Sequence, residues 1–478
     1  MTGRLTASLI LVSAFLAGCG TVHRAREAQC ALAPRGEDAA AAADSACRLD
    51  FRNASLSELV EFALTNRPSV AAKAIEVHDA RLALKTIAAD APVLSGTPWK
   101  ALSASVSGGH AETTDAITRH EANWNTLGNA SAVISIDLLL WDFGRYGARA
   151  KAQAETVVAA ELSLELEAQK VCREVATAWF DFLEMRALLG VALTNRHQYA
   201  EHLSRAEERM KAGEANRLDV LKARLDLANA MQSVVTASNR VDTTGAALMQ
   251  ALGADASRGT SDEVFGEDPL GVDSVRRAFT KTTMSVDEAF AFAKTNAPAI
   301  RVARARLRAA SHSVDYAIAD LLPTVSASTS FSWTDPFWYW KWGFSAAQSI
   351  LQGGRKVTAV DRAVAAMESA AVGVDESEQR LSVDLETAIA NRDNSVQAVA
   401  SAMASVRSAR ENLDTVREQF AVGSASRVEL SEAIAADSQA RGDCISAFYD
   451  GQRAEAALFD VLGLPPVFEE ELVKGDLK

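Results

Sequence analysis

Cys19 is the residue whose surroundings indicate a definite chemical modification. It follows Leu16-Ala17-Gly18, which closes an apolar run, residues 5–16, that begins after Arg4. A positive residue, a short apolar stretch and small residues are typical of a signal peptide, and the cysteine after them matches a bacterial lipobox. Cys19 is therefore predicted to carry a thioether-linked diacylglycerol; an ordinary signal peptide with an incidental cysteine is the alternative. Gly20 follows it, not the aspartate that retains lipoproteins at the inner membrane, so export to the outer membrane is expected.

The other four cysteines offer weaker chemistry. Cys30 and Cys47 lie in the same Ala-rich exported segment, where they could form a disulfide or remain two free thiols. Cys172 and Cys444 fall in helical stretches and are expected to be small core residues. Their distances from the turns would put them at different heights along the helices, so no bond between them is expected.

No constellation of residues in the sequence predicts catalysis, a cofactor or a bound metal. There is no Ser/His/Asp arrangement, no cluster with metal-ligand spacing and no phosphate-binding loop. His110 and His120 could be metal ligands, but no carboxylate or thiol cluster accompanies them, and solvated loop histidines are favoured. The net charge of −13, without a basic stripe, argues against nucleic acid as a partner. The sequence favours a protein that is not an enzyme.

The chain contains two copies of one large unit. Residues 55–70 and 285–300 align without a gap and share seven of sixteen residues. Gly144-Arg145 and Gly354-Arg355 are each followed 69 residues after the glycine by another glycine, and 40 residues later by a Leu-Gly pair. These matching internal distances indicate a duplication of a large supersecondary unit, not a solenoid of short repeats.

Two long windows without proline predict very long helices. None occurs between Pro98 and Pro269 or between Pro336 and Pro465, and proline inside a helix costs about 3 kcal/mol. A single helix over residues 145–212 would be ~100 Å long. Apolar residues spaced alternately three and four apart predict side-by-side packing of the coiled-coil type. They are Leu164, Ala168, Val171, Val175, Ala178, Phe182, Met185 and Leu189, and in the second copy Leu385, Ile389, Val396, Val399, Met403, Val406 and Leu413.

Alternating residues between the helices predict β-hairpins. Apolar and small polar residues alternate after Pro323 and again after the turn at Thr334-Asp335-Pro336, and the first copy has such a segment at 124–138. A period of two with one apolar face is typical of a strand, and aromatic residues on that face are typical of a membrane interface. The predicted interface aromatics are Trp124, Trp333, Trp338, Trp340, Trp342 and Phe344.

Two hairpins supply too few strands for a membrane barrel, because the smallest bacterial examples use about eight. Strand edges exposed to lipid would leave backbone groups unpaired at high cost. The chain is therefore expected to oligomerise, so that strands of several copies close one barrel. The residues alone do not fix the number of copies.

These patterns divide the chain into six segments. The predicted fold class is mainly α with a pair of membrane β-hairpins and an internal twofold repeat. Each repeat runs helix, β-hairpin, very long helix, turn and helix. The segments are a lipoprotein signal peptide (1–18), a lipid-anchored segment (19–53), the first repeat (54–253), an equatorial linker (254–283), the second repeat (284–463) and a tail (464–478).

The doubled motifs resemble those of the TolC-like outer-membrane factor family, which includes outer-membrane efflux lipoproteins, over nearly all of residues 56–463. The marks are Ala63-x-x-Asn66-x-Pro68 and Ala293-x-x-Asn296-x-Pro298, the Pro323 that opens a strand, the doubled Gly-Arg pair, and the turn segments after Gly213 and Gly423. Each motif is weak alone, but their order and equal spacing make the resemblance specific.

The resemblance implies a passive duct. Members of the family are homotrimers in which twelve strands form a β-barrel in the outer membrane of a Gram-negative bacterium. A long α-helical coiled-coil barrel continues this β-barrel through the periplasm. The implied partners are further copies of the chain, outer-membrane lipid, a periplasmic adaptor protein and an inner-membrane pump of the RND or ABC type. No cofactor is implied.

The resemblance also assigns roles at the closed periplasmic end. Asp219, Glu429 and Glu432 match acidic residues that ring the narrow entrance, where they would favour cations; solvated helix-turn carboxylates are the alternative. Ala425 stands where some members have a latching arginine, and Phe420 stands near the position of a latching tyrosine. The turn residues expected to contact the adaptor are Gly213, Leu218, Val220, Gly423, Val428 and Leu430.

A second hypothesis is a periplasmic coiled-coil adaptor that never enters the membrane. Adaptors have one helical hairpin flanked by glycine-rich β domains. Here the hairpin is doubled, and the β segments carry a face of tryptophans. The sequence therefore favours the channel over the adaptor.

Overall fold

The computed structural model describes residues 56–89, 102–108, 130–213, 216–254, 286–334, 337–348, 353–422 and 424–464. All of these residues belong to one compact unit. The predictions for Cys19, Cys30, Cys47, Trp124 and Gly423 lie outside them. No helix in the described ranges is both long enough and apolar enough to cross a membrane.

The described residues form eight helices and four strands in two halves of the same order. Corresponding helices have the same lengths of 11, 22, 67 and 36 residues, which confirms the internal repeat and the two very long helices. The first half consists of α1 (Leu56–Asn66), α2 (Pro68–Ala89), β1 (Leu102–Gly108), β2 (Ala130–Trp141), α3 (Arg145–Lys211) and α4 (Arg217–Leu252). The second half consists of α5 (Val286–Asn296), α6 (Pro298–Ala319), β3 (Thr324–Thr334), β4 (Phe337–Ala347), α7 (Arg355–Ala421) and α8 (Arg427–Leu462).

Each half begins with two helices where the sequence predicted one. The breaks fall at Asn66-Arg67-Pro68 and Asn296-Ala297-Pro298. A proline has no N–H to donate, and the residue before it disfavours the helical conformation, so α1 and α5 end there. The Asn66 side chain donates to the Phe62 carbonyl at 2.9 Å, which satisfies one of the carbonyls left without a partner at the end of α1.

The Leu-Gly pair that ends each half packs against this break. Gly253 and Gly463 follow α4 and α8 in the left-handed conformation, with φ of 73° and 76°. A Cβ on Gly463 would lie 3.1 Å from the backbone of Asn296, and one on Gly253 would lie 3.4 Å from the backbone of Arg67. Two motifs that are distant in the sequence of each half therefore meet in space.

The four strands form one antiparallel sheet in the order β1–β2–β3–β4. Strands β2 and β3 pair with each other and join the two halves. Strands β1 and β4 are the edges of this sheet. Each half thus contributes one central strand and one edge strand.

The helices repeat the order of the strands. Helix α6 packs against both α3 and α7, and α2 packs against α3. Helices α3 and α4 form one hairpin, α7 and α8 form the other, and the two hairpins meet through α3 and α8. The two halves therefore meet in the middle, with α2 and α4 on one outer side of the described unit and α7 on the other.

A buried ion-pair network holds the two hairpins together. Arg453 of α8 donates to Asp181 and Glu184 of α3, at 2.6 and 2.8 Å. The Ser446 hydroxyl donates to the other oxygen of Glu184 at 2.7 Å. Because Glu184 is buried, removal of these partners would leave an uncompensated charge in the protein interior.

The predicted coiled-coil seam is only partly buried within one chain. Val175 and Phe182 of α3 and Leu385 and Leu413 of α7 are buried, as expected for core positions. Val396 of α7 is instead 37% exposed. Because α7 forms an outer side of the unit, its apolar positions are not all covered by the chain's own helices.

Cys172 and Cys444 are buried free thiols, in agreement with their predicted place in the core. Burial raises the pKa of Cys172 to about 11, because the thiolate is poorly solvated there. The Cys172 thiol is therefore protonated, and unreactive as a nucleophile, at neutral pH.

Alanine at Gly463 is expected to destabilise the protein more than alanine at Gly253 or Gly213. All three glycines have a positive φ, which costs an alanine about 1–2 kcal/mol. A Cβ at Gly463 would also press on backbone atoms at 3.1 Å, whereas a Cβ at Gly213 would meet nothing within 4 Å. Thermal denaturation followed by circular dichroism should give the lowest midpoint for Gly463→Ala. Equal midpoints for the three variants would contradict the contact between Gly463 and the α5–α6 break.

Candidate functional site

The candidate site lies at the two turns between the long helices. In the first half, α3 ends at Lys211 and α4 begins at Arg217, with Gly213 in the left-handed conformation at φ 79°. In the second half, α7 ends at Ala421 and α8 begins at Arg427. The two turns occupy the same place in each half, and side chains from both halves meet there.

Two of the predicted gate carboxylates, Asp219 and Glu429, are the third residues of α4 and α8. Asp219 accepts from the N–H of Asn216 at 3.3 Å, and Glu429 accepts from the N–H of Ser426 at 2.6 Å. The Ser426 hydroxyl accepts in return from the Glu429 N–H at 3.2 Å. In this capping-box arrangement the side chains satisfy N–H groups at the start of a helix. One oxygen of each carboxylate is thus engaged in its own turn, while Glu432, one turn along α8, is exposed.

Arg427 ties the second turn to the first. Its guanidinium lies 3.2 Å from an oxygen of Asp226 and 3.8 Å from an oxygen of Asp219, both on α4. The Arg427 side chain is only 16% exposed, so these ion pairs are screened less than pairs on the surface. Sequence analysis did not single out Arg427, because its closest partner is 201 residues away and no spacing rule connects them.

A second set of contacts joins α3 to the second turn. The rings of His202 and Phe420 meet edge-on, with their centroids 5.8 Å apart. The Arg209 guanidinium lies 5.3 Å from the centroid of the same Phe420 ring. The Tyr199 hydroxyl donates to the carbonyl of Ser431 at 3.4 Å. Phe420 is therefore a packing residue between the halves, and His202 is a second participant that the sequence did not reveal.

The residues predicted to contact an adaptor divide by burial. Leu218 and Val428, at equivalent positions in α4 and α8, are 53% and 51% exposed. Val220 and Leu430, two residues further along each helix, are buried in the chain's own turn region. Two residues rotate a side chain to nearly the opposite face of a helix. The prediction for Val220 and Leu430 is therefore corrected: their side chains hold the turns together and are not open to an adaptor.

The strand register places apolar residues on one face of the sheet. Trp340 pairs with Phe331, and Phe331 pairs with Ile134 on the next strand. The Trp340 indole N–H donates to the Thr329 hydroxyl at 2.6 Å, so its polar atom is satisfied on this face. The aromatic residues of β4 that share the face are each more than two-thirds exposed; they are Trp338, Trp340, Trp342 and Phe344.

The opposite face of the sheet is small and polar. Ser326 and Ser345 are paired across β3 and β4, and their hydroxyl oxygens are 2.8 Å apart. Ser328 and Ser330 lie on the same face of β3, since alternate residues of a strand share a face. The sheet therefore separates an aromatic side from a hydroxyl-rich side.

The aromatic residues of β4 cannot all lie at one membrane interface. Trp338 and Phe344 are six residues apart, which is about 20 Å along a strand. Only the ends of this row fit the predicted interface positions. At the opposite end of the sheet, Trp141 and Phe143 meet edge-on at 6.2 Å and are 53% and 44% exposed. Sequence analysis did not single out this second aromatic pair.

The comparison with protein families decides between the channel and the adaptor. Residues 59–254 and 292–464 match the outer membrane efflux protein family. The chain belongs to the outer membrane efflux protein family. The matched ranges contain both helical hairpins and all four strands of the described unit. Among curated proteins, the comparison finds no match.

Solved structures with the fold of this outer membrane efflux protein include several channels. The chain superposes on CusC, described in connection with transmembrane channel formation, with a TM-score of 0.73 at 19% identity, over 87% of this chain and 94% of CusC. The CmeC outer membrane channel of Campylobacter jejuni gives 0.70 at 16% identity, over 87% and 88%. The open-state MtrE outer membrane channel of Neisseria gonorrhoeae gives 0.66 at 18% identity, over 86% and 89%. At these identities the likeness establishes the fold.

Arg427→Met is expected to loosen the turns without unfolding the long helices. The variant keeps the length of the side chain but leaves Asp226 without the cation that lies 3.2 Å away. Loss of one charged hydrogen bond of this kind costs about 1.5–3 kcal/mol. Hydrogen exchange followed by mass spectrometry should show faster exchange in residues 199–231.

Arg224→Met is the matched control for this variant. Arg224 is 61% exposed and pairs with Glu207 of its own hairpin, so its removal cuts no contact between the halves. Exchange as fast in Arg224→Met as in Arg427→Met would contradict the role of Arg427 as the link between the turns.

Proposed function

We propose that three copies of this outer membrane efflux protein assemble into a passive duct. Their sheets would close one twelve-stranded barrel in the outer membrane, and their long helices would continue it as a periplasmic tunnel. A periplasmic adaptor and an inner-membrane pump of the RND or ABC type would deliver cargo at the turns. A diacylglycerol on Cys19 would anchor each copy to the membrane.

The open edges of the sheet are the observation that carries this proposal. Strands β1 and β4 each pair on one side only within the described unit. In a membrane, each unpaired backbone group is costly, and a closed barrel is the sheet arrangement that removes the edges. Because β1 belongs to the first half and β4 to the second, β4 of one copy can pair with β1 of the next, and repetition of this contact closes a ring.

Exposed apolar residues on the outer helices support the same arrangement. Leu218, Leu221, Leu225 and Val235 of α4 follow a heptad spacing, and each is more than half exposed. On the other outer side, Val372 and Val383 of α7 are 65% and 63% exposed. A heptad stripe of this kind is typical of helices that pack side by side. The α4 stripe of one copy would therefore face α7 of its neighbour.

The two faces of the sheet suit a membrane pore. The face that carries Trp340 and Phe344 would contact lipid, and the face that carries Ser328 and Ser330 would line the aqueous pathway. The hydroxyl-rich face would let polar solutes pass without binding them tightly. The exposed aromatic pair Trp141–Phe143 would lie at the periplasmic boundary of the membrane.

Membrane insertion is tested with two variants at neighbouring positions on opposite faces of β4. Phe344→Arg places a charge on the lipid side, where it costs about 2–4 kcal/mol near the middle of a bilayer. Ser345→Arg places the same charge on the aqueous side. We expect the first variant to lose outer-membrane oligomers, seen by heat-modifiable gel mobility, and the second to retain them. Equal retention of both would contradict the assigned faces.

The adaptor alternative is tested with the lipid anchor removed. The chain is exported behind a signal peptide that is not lipidated, and membranes are washed with salt and carbonate. A duct embedded through its strands should stay in the outer-membrane fraction and form conducting channels in planar bilayers. Release of the protein into the wash would favour the adaptor and contradict the duct.

Removal of two tip carboxylates should lower the preference of the channel for cations. Glu429→Gln keeps an amide oxygen that can accept from Ser426, so the capping box is retained, and Glu432→Gln acts at an exposed site. The reversal potential under a salt gradient measures the change. The control is Glu76→Gln with Glu376→Gln, which removes two exposed carboxylates distant in sequence from the turns. An unchanged reversal potential in the tip variant would remove the gate assignment and leave the fold intact.

A further inference from the structure

His202 is a buried histidine without a hydrogen-bond partner. It lies on α3 close to the first turn, and its side chain is 4% exposed. Neither ring nitrogen has a partner within the described part of the chain. Neutral imidazole tolerates this environment better than imidazolium, because a buried charge without a partner is costly.

The surroundings of His202 disfavour a positive charge. Arg427 approaches from α8 and Arg205 lies on α3 itself, and both repel an imidazolium. Asp226 of α4 is the carboxylate that would attract it. That carboxylate already binds Arg427 at 3.2 Å, so it is shared with an existing cation. From α7, the uncharged ring of Phe420 packs against His202 at 5.8 Å.

These groups act on the protonation of His202 in one direction. Burial, and next the charge of Arg427, lower the pKa of His202 below its ordinary value, while Asp226 offsets part of the effect. The packed turns therefore contain the neutral ring. A histidine released into water by separation of the helices would regain its ordinary pKa of about 6.5.

We propose that His202 is a proton-sensing residue, and that its protonation at acidic pH separates the two helical hairpins at their turns. A protonated ring next to Arg427 would weaken the His202–Phe420 contact and compete for Asp226. Both contacts join α3 and α4 of the first half to α7 and α8 of the second. Any consequence for conduction rests on the proposed duct, but the switch itself is a property of the single chain.

The direction of the pH effect follows from proton linkage. The separated state binds a proton more readily than the packed state, because the pKa of His202 is lower in the packed state. The packing is therefore fully stable above pH about 6.5 and weakens as the pH falls through that value. For one linked proton, the opening equilibrium rises by at most about tenfold per pH unit.

Hydrogen exchange of the purified full-length protein tests the switch. Exchange is measured at pH 7.5, 6.5 and 5.5 and corrected for the intrinsic pH dependence of the amides. We expect protection of residues 199–213 and 417–434 to fall several-fold between pH 6.5 and 5.5. Protection of residues 160–185, far from the turns on the same helix, should not change. The test does not depend on pore formation, so its failure is distinct from failure of the proposed function.

Three variants assign the effect to His202. His202→Phe keeps an aromatic ring against Phe420, and His202→Gln is polar and neutral; both should abolish the acid-dependent loss of protection. His197→Gln is the matched control, because His197 is 73% exposed on the same helix, and it should behave as the wild type does. An acid-dependent loss that persists in both His202 variants, or its absence from the wild type, would overturn the proposal.

Discussion

The pairing of β2 with β3 is the interaction on which the rest of the arrangement depends. It joins the two halves at the centre of the sheet and leaves one strand of each half at an edge. Backbone groups on those edges find no water inside a membrane, so they require partners from another chain. The helices follow the same order, with the halves in contact through α3, α6 and α8 and with α4 and α7 outside. One head-to-tail contact between copies can therefore serve the strands and the helices together.

Duplication explains how one chain builds a unit of this kind. The helices of the two halves agree in length, and in each half the terminal glycine rests on the break between the first two helices. Equal helix lengths keep the strands and the turns of the two halves level with each other. The halves differ where they meet: Arg427 and Phe420 of the second half bind α4 and α3 of the first. The duplicated unit thus carries side chains at its turns that make the contact between the halves specific.

Much of the fold could be predicted from the sequence, because its signals are local. The absence of proline, the heptad spacing and the period-two alternation gave the long helices and the strands of the second half. The Asn-x-Pro motif was recognised as a mark of the repeat, but the helix break that it causes was not predicted. Val396 was placed in a buried seam, yet it is exposed, because periodicity does not say which side of a helix has a neighbour within one chain.

The candidate site was harder to predict, because its contacts join residues about half the chain apart. Asp219 and Glu429 were identified from their distance to a turn glycine, but their capping-box hydrogen bonds depend on the local backbone. Val220 and Leu430 were grouped with exposed neighbours, since sequence distance to the turn does not separate the faces of a helix. Arg427 and His202 carry no motif at all, and their roles follow only from the partners that the fold brings to them.

The central claim is that this sheet is completed by other copies of the same chain. Native mass spectrometry of the full-length protein, purified from outer membranes in mild detergent, measures this directly. The account predicts a single dominant species that contains three copies. A dominant species that contains one copy would contradict it.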